Sequence, residues 1–126
     1  MISPAVATSP DPAKIVIKVE RSPQAAMIHA AKVLPNYGWN KTQFACLKEL
    51  WRRESNWRPE ARNKQPVRAK INGVWQYVHA GGIPQILGMD PKTAVEDQIR
   101  RGLVYIESRY GTPCRALSFH DRQNWY

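Results

Sequence analysis

Asn40–Trp57, NKTQFACLKELWRRESNW, is the stretch whose reading decides the fold. Phe44, Leu47, Leu50 and Trp51 recur at helical spacing, so the segment predicts an amphipathic helix over Lys41 to Glu54, with Asn40 as N-cap and Gln43 completing a capping box. Glu54 follows Leu47 and Trp51 at seven and three residues and therefore extends the apolar stripe. The other acid of the segment, Glu49, falls on a different face. A carboxylate on an apolar face is costly to bury in its charged form, so its pKa should rise. A neutral carboxylic acid at a cleft is the group that protonates a glycosidic oxygen. The alternative is a carboxylate exposed at a fraying helix end and paired with Arg52, Arg53 or Arg58.

The neighbouring residues extend this picture. Glu54 opens Glu54-Ser55-Asn56-Trp57-Arg58-Pro59-Glu60-Ala61-Arg62-Asn63, and Gly82-Ile83-Pro84-Gln85 follows after an insertion. Gln98-Ile99-Arg100-Arg101-Gly102-Leu103-Val104-Tyr105-Ile106, Arg109-Tyr110-Gly111-Thr112-Pro113-Cys114 and a terminal Trp125-Tyr126 complete the series. In this order the motifs resemble the soluble lytic transglycosylase family of the lysozyme-like superfamily, whose pattern is E-S-x-x-x-P-x-A-x-S followed by G-A-x-G-L-M-Q. The downstream motifs are similar to its actinobacterial and phage branch. The resemblance spans roughly Pro23 to Tyr126.

The resemblance implies a mainly α, α+β lysozyme-like fold: a helical domain with a small β-hairpin beside an active-site cleft. It implies cleavage of the β-1,4 MurNAc–GlcNAc bond of peptidoglycan with Glu54 as the catalytic acid and base. It implies substrate contacts from Gln85, Ile83, Tyr105 and Asn63, with Asn63 standing where the family has serine and Pro84 where it has methionine. Packing within the core is the alternative for Tyr105. Ser55 reads as structural, and His120 as a residue near the cleft for which the family offers little support. No cofactor is implied.

Two cysteines, Cys46 and Cys114, permit one disulfide in an oxidising compartment, or two buried thiols otherwise. Both stand where the actinobacterial branch has cysteines, which implies that they are bonded to each other. His29, His79 and His120 are dispersed and lack the spacing of a metal site.

The 126 residues carry 19 Lys and Arg against 10 Asp and Glu, a net charge of +9 that favours anionic partners. The basic residues are scattered and follow no nucleic-acid signature, so no specific nucleic-acid partner is expected. No apolar run reaches the length of a membrane span. With 43% hydrophobic residues and five tryptophans the chain can form one domain, expected to be a monomer in isolation. Residues 1–22 read as a proline-containing linker or the end of an upstream domain, and 23–126 as the lytic domain. The first residues lack the cationic start and apolar core of an intact signal peptide. Within 1–22, Lys14 to Glu20 alternates like a strand.

Further helices are expected over Pro23 to Leu34, over Ala94 to Arg109 with a Thr93/Glu96 capping box, and from Pro113 onward. The stripe of the third is Val95, Ile99, Leu103, Ile106 and Tyr110. Val67–Val78 reads as a hairpin around Asn72-Gly73. One of its faces would carry Arg68, Lys70, Trp75 and Tyr77, suited either to sugar rings and wall phosphates or to cross-strand cation–π packing.

No aspartate or glutamate lies between Arg62 and Met89, the region where a hydrolase of this fold would hold its second carboxylate. Asp90, beside Pro91, reads as a turn or helix cap. A lone acid suits transglycosylation to a 1,6-anhydro product. A lysozyme-type hydrolase, a non-catalytic wall-binding module and a basic nucleic-acid-binding domain are the competing classes. The expected setting is extracellular, at the cell wall: a secreted actinobacterial enzyme, or a phage tail tape-measure protein or lysin.

Overall fold

Residues 18–125 are described by the computed structural model. Among them are four α-helices, one 3-10 turn and two small antiparallel sheets of two strands each, a mainly α architecture with a minor β part. Most of the expected Lys14–Glu20 strand lies outside the described residues, and residues 18–20 carry no strand.

Helix α1 runs Pro23–Val33, with Ser22 as N-cap accepting from the Ala25 amide. Its chain continues as a 3-10 turn, Leu34–Tyr37, which tolerates Pro35 in its first turn, and Gly38 closes the turn at φ 76°. The deciding stretch forms α2, Lys41–Ser55. It ends on Asn56 in the left-handed conformation, whose amide bonds Arg52 O and Trp51 O. Trp57 also has positive φ, 60°, and its indole Nε1 donates to Lys48 O at 3.0 Å. Its ring meets Trp51 edge-on at 5.2 Å. That clasp folds the chain back across α2 immediately after Glu54.

Asn40 caps α2 as expected, its Oδ1 accepting from the Gln43 amide at 3.2 Å. The reciprocal half of the capping box does not form. Gln43 Oε1 instead accepts from the Cys114 amide at 2.9 Å. The side chain is spent on a tertiary contact with a second helix start, and local pattern alone gives no sign of that competitor.

Strands β1, Val67–Ile71, and β2, Val74–Val78, pair in the expected register, with Ile71 opposite Val74 and Val67 opposite Val78. Asn72 and Gly73 both have positive φ, 52° and 80°, as a two-residue primed hairpin turn requires. Strands β3, Ala80–Gly81, and β4, Ile86–Leu87, form the second sheet.

Helix α3 is Val95–Tyr110 and α4 is Pro113–Gln123. Thr112 caps α4 through its side chain, which accepts from the Arg115 amide at 3.3 Å. The Thr93/Glu96 capping box is absent: the N-cap of α3 is Ala94, without a side-chain bond. Thr93 serves through its backbone, its carbonyl accepting from Arg21 Nη1 at 2.9 Å and from Gln98 Nε2 at 3.0 Å. Arg21, together with Val19 packed on the core, draws residues ahead of Pro23 onto the domain.

The core lies where α1, α2 and α3 face one another. Leu47, Leu50 and Trp51 of α2 meet Val95, Ile99, Leu103 and Ile106 of α3, all essentially without exposure. Gly102 permits the close approach: a Cβ there would stand 2.6 Å from Trp51 Cζ2 and 2.8 Å from Pro84 Cβ. Gln98 is fully buried and satisfied. It accepts from the Ile83 amide at 2.8 Å and donates to Pro59 O at 3.0 Å, tying α3 to the turn between β3 and β4 and to the segment that follows α2. The Cys46–Cys114 disulfide joins α2 to the first turn of α4 across 68 residues. No helix among the described residues is long and apolar enough to cross a membrane.

Candidate functional site

Glu54 occupies the last turn of α2, one residue before buried Ser55. Ser55 Oγ donates to Ile83 O at 2.6 Å and so fixes the Gly82–Gln85 segment against the end of α2. That bond is a structural role for Ser55, and it places β3, β4 and the hairpin beside the Glu54 side chain. A cleft of about 670 Å³ results, with Glu54 at one wall, the hairpin side chains Val67, Ala69 and Ile71 at another, and Tyr105 and Arg109 of α3 beside them. Asn124 and Trp125 close it from the C-terminal end. Of the described residues lining this cleft, Glu54 alone is acidic. Two other concavities of about 650 and 660 Å³ exist, but neither contains Glu54.

The Glu54 side chain retains only 17% of its accessible surface. Burial pushes its pKa up to about 7, from 4.5. The C-terminal turn of a helix is also an unfavourable place for an anion. At neutral pH a substantial fraction of the molecules therefore carries a protonated acid at the cleft. Glu49, on the outer face of the same helix, shows the opposite behaviour. Hydrogen bonds from Arg52 at 2.8 Å and from Arg53 at 2.8 Å hold its carboxyl down to about 2. The two acids of α2 thus separate into a solvated ion pair and a poised acid, as the helical register predicts. The arginines of this turn do not neutralise Glu54, since Arg53 is engaged by Glu49 and Asp121.

Glu54 pairs with His120 of α4, whose Nε2 lies 3.1 Å from Glu54 Oε2. Its imidazole is 12% exposed. Burial, then the neighbouring Arg53 charge, lowers the His120 pKa. Both effects disfavour the imidazolium form of His120 at this contact. The sequence placed His120 near the cleft but gave no reason to join it to Glu54. The signal would have been its position on α4: the Cys46–Cys114 bond anchors the start of that helix to α2, and a histidine two turns on can then reach the end of α2.

The expected substrate contacts divide. Gln85 lines the cleft at φ 54°, with its side-chain Nε2 donating to Gly82 O at 2.9 Å and Ala61 O at 3.3 Å. A non-glycine residue in the left-handed region is a strained arrangement of the kind that gathers at functional sites. Asn63 also lines the cleft. Its Oδ1 accepts from the Gln65 amide at 3.0 Å and its carbonyl meets His79 Nδ1 at 2.7 Å, so it shapes the loop rather than bonding Glu54. Tyr105 lines the cleft from α3, with its ring 5.8 Å from the Arg109 guanidinium.

Ile83 departs from expectation. It has no exposed surface and belongs to the core, because the Ser55 and Gln98 bonds draw its backbone inward. Its side chain offers a ligand nothing. Asp90 does not line the cleft: its Oδ1 caps a turn by accepting from the Lys92 amide at 2.8 Å. The hairpin turns Val67, Ala69 and Ile71 to the cleft, and Lys70, expected on the opposite face, also lines it; Trp75 and Tyr77 stay 56% and 72% exposed, with Arg68 stacked 4.7 Å from the Trp75 ring. Comparison of the chain with known protein families, curated proteins and solved structures finds no match.

Proposed function

We propose that this chain is a peptidoglycan-cleaving lytic transglycosylase of the lysozyme-like type, with Glu54 acting first as acid and then as base. The observation that carries the reading is the Glu54 carboxyl, pushed by burial to about 7 at the wall of a cleft with no second acid among its described lining residues. General acid–base catalysis is most effective when the group's pKa lies near the working pH. Protonated Glu54 gives its proton to the oxygen of the MurNAc–GlcNAc bond, and the C1–O bond breaks. The substrate's N-acetyl oxygen bonds C1 and holds the developing positive charge. Glu54, now a carboxylate, removes the proton of the C6 hydroxyl, whose oxygen closes on C1 as a 1,6-anhydro ring while the bond from C1 to the N-acetyl oxygen breaks and the acetamide is restored. The C6 hydroxyl is tethered to the reacting centre, so its effective concentration far exceeds that of an external nucleophile.

Gln85, Tyr105, Arg109, Asn63 and Lys70 are among the polar groups at the cleft that can orient the sugar, and Val67, Ala69 and Ile71 of the hairpin supply an apolar wall for it. The disulfide fits a chain that works outside the cytosol, at a bacterial wall or in a phage tail.

The test is mass spectrometry of muropeptides released from purified walls. The reading expects 1,6-anhydro-MurNAc ends, each lighter by one water than the hydrolytic product, and their loss by orders of magnitude in Glu54→Gln. Asp90→Asn should leave the products unchanged. Reducing-end MurNAc together with an inactive Asp90→Asn variant would instead identify a hydrolase with two carboxylates.

A further inference from the structure

Arg53 lies behind Glu54 and reaches His120 as well as its carboxylate partners, with Nη1 3.4 Å from His120 Nδ1. A guanidinium has only donors, so a hydrogen bond in this contact requires Nδ1 to accept. An uncharged imidazole that accepts at Nδ1 carries its one proton on Nε2. Nε2 is the atom 3.1 Å from Glu54 Oε2 and therefore donates to it. Arg53 is itself held in place, its Nε donating to Glu49 Oε2 at 2.8 Å and its Nη1 bonding Asp121. Glu49, Arg53, Asp121, His120 and Glu54 thus form one chain of contacts from the outer surface of α2 and α4 to the cleft.

We propose that His120, fixed by Arg53 in its Nε2–H tautomer, is a positioning residue that engages Glu54 Oε2 as an acceptor and leaves the acidic proton on Oε1, the oxygen free to meet a ligand. The inference rests on the reading of Glu54 as the proton donor and adds what selects the reactive oxygen. It also assigns His120 a part after proton transfer: the same N–H then donates to a full carboxylate, and hydrogen bonds to charged groups are roughly twice as strong as neutral ones. The other charged or titratable groups at the cleft are Arg109 and Tyr105 on α3 and Lys70 on β1.

The experiment uses the full chain without ligand. Nitrogen NMR shifts of His120 near pH 7.5 report the tautomer directly, and carbon NMR of the Glu54 carboxyl gives its titration midpoint. The expected result is a bare Nδ1 and a protonated Nε2. His120→Phe, which removes the donor, should raise the Glu54 midpoint by about one pH unit. His120→Gln, which keeps an N–H at similar reach, should return it close to wild type. A proton on Nδ1, or a midpoint that falls or does not move in His120→Phe, overturns the proposal. If that variant fails to fold, the wild-type nitrogen shifts and His120→Gln still decide. Wall cleavage by Glu54→Gln would refute the reading of Glu54 while leaving the titration result intact, so the two failures are distinguishable.

Discussion

Replacing Glu54 by glutamine should make the protein more stable in alkali while abolishing wall cleavage. The magnitude follows from linkage. The Glu54 carboxyl titrates at about 7 in the folded chain and at 4.5 when unfolded. Between those values the folded state binds more protons than the unfolded state, so stability falls as pH rises. The loss begins near pH 4.5 and is complete above about pH 8. At about 1.4 kcal/mol per pH unit, the interval amounts to roughly 3 kcal/mol. Glutamine keeps the shape and an oxygen to accept from His120, and has no proton to lose. The difference in unfolding free energy between Glu54→Gln and wild type should therefore widen by about 3 kcal/mol from pH 4 to pH 8.5, or roughly 10 °C in Tm for a chain of this size. Urea unfolding of both proteins across that range, without reductant, measures it. Glu49, Asp121 and the arginines are common to both proteins and largely cancel in the difference. Parallel stability curves at every pH would show that the carboxyl is solvated and would remove the physical basis for its role as an acid.

Three further outcomes follow from the same structure. Cleavage should decline as pH rises through about 7, because the acid is lost there, and a rate flat to pH 9 would contradict the assignment. Reducing Cys46–Cys114 should lower stability by up to about 4 kcal/mol, the chain entropy of a loop of this length. It should also weaken the Glu54–His120 contact, visible as a shifted Glu54 titration. Gly102→Ala should cost about 1–3 kcal/mol, since the new methyl would meet Trp51 and Pro84 in a packed core. An alanine variant as stable as wild type would mean that α3 sits further from α2 than described.

Much of the fold was legible locally. Period in the α2 and α3 stripes, Asn40 at the start of α2, Pro113 at the first position of α4, and Asn72-Gly73 at a hairpin turn all act through neighbours within a few residues, so sequence alone locates them. The placement of Glu54 on the inner face of α2 is of the same kind. The expected pairing of Cys46 with Cys114 came from resemblance, and the disulfide is present in the fold.

What sequence could not decide were contests between local and distant partners. Gln43 left its capping box for the Cys114 amide, and Thr93 gave its carbonyl to Arg21 and Gln98 in place of a side-chain cap. Ile83 moved from cleft to core because Ser55 and Gln98 bond its backbone from two other helices. His120 met Glu54 because α4, anchored to α2 by the disulfide at its start, packs along α2 as far as its last turn. Helix register sets which side chains share a face, and it is fixed by residues three and four apart. Which polar group satisfies which donor depends on elements separated by dozens of residues, and only their packing brings those groups within hydrogen-bond reach.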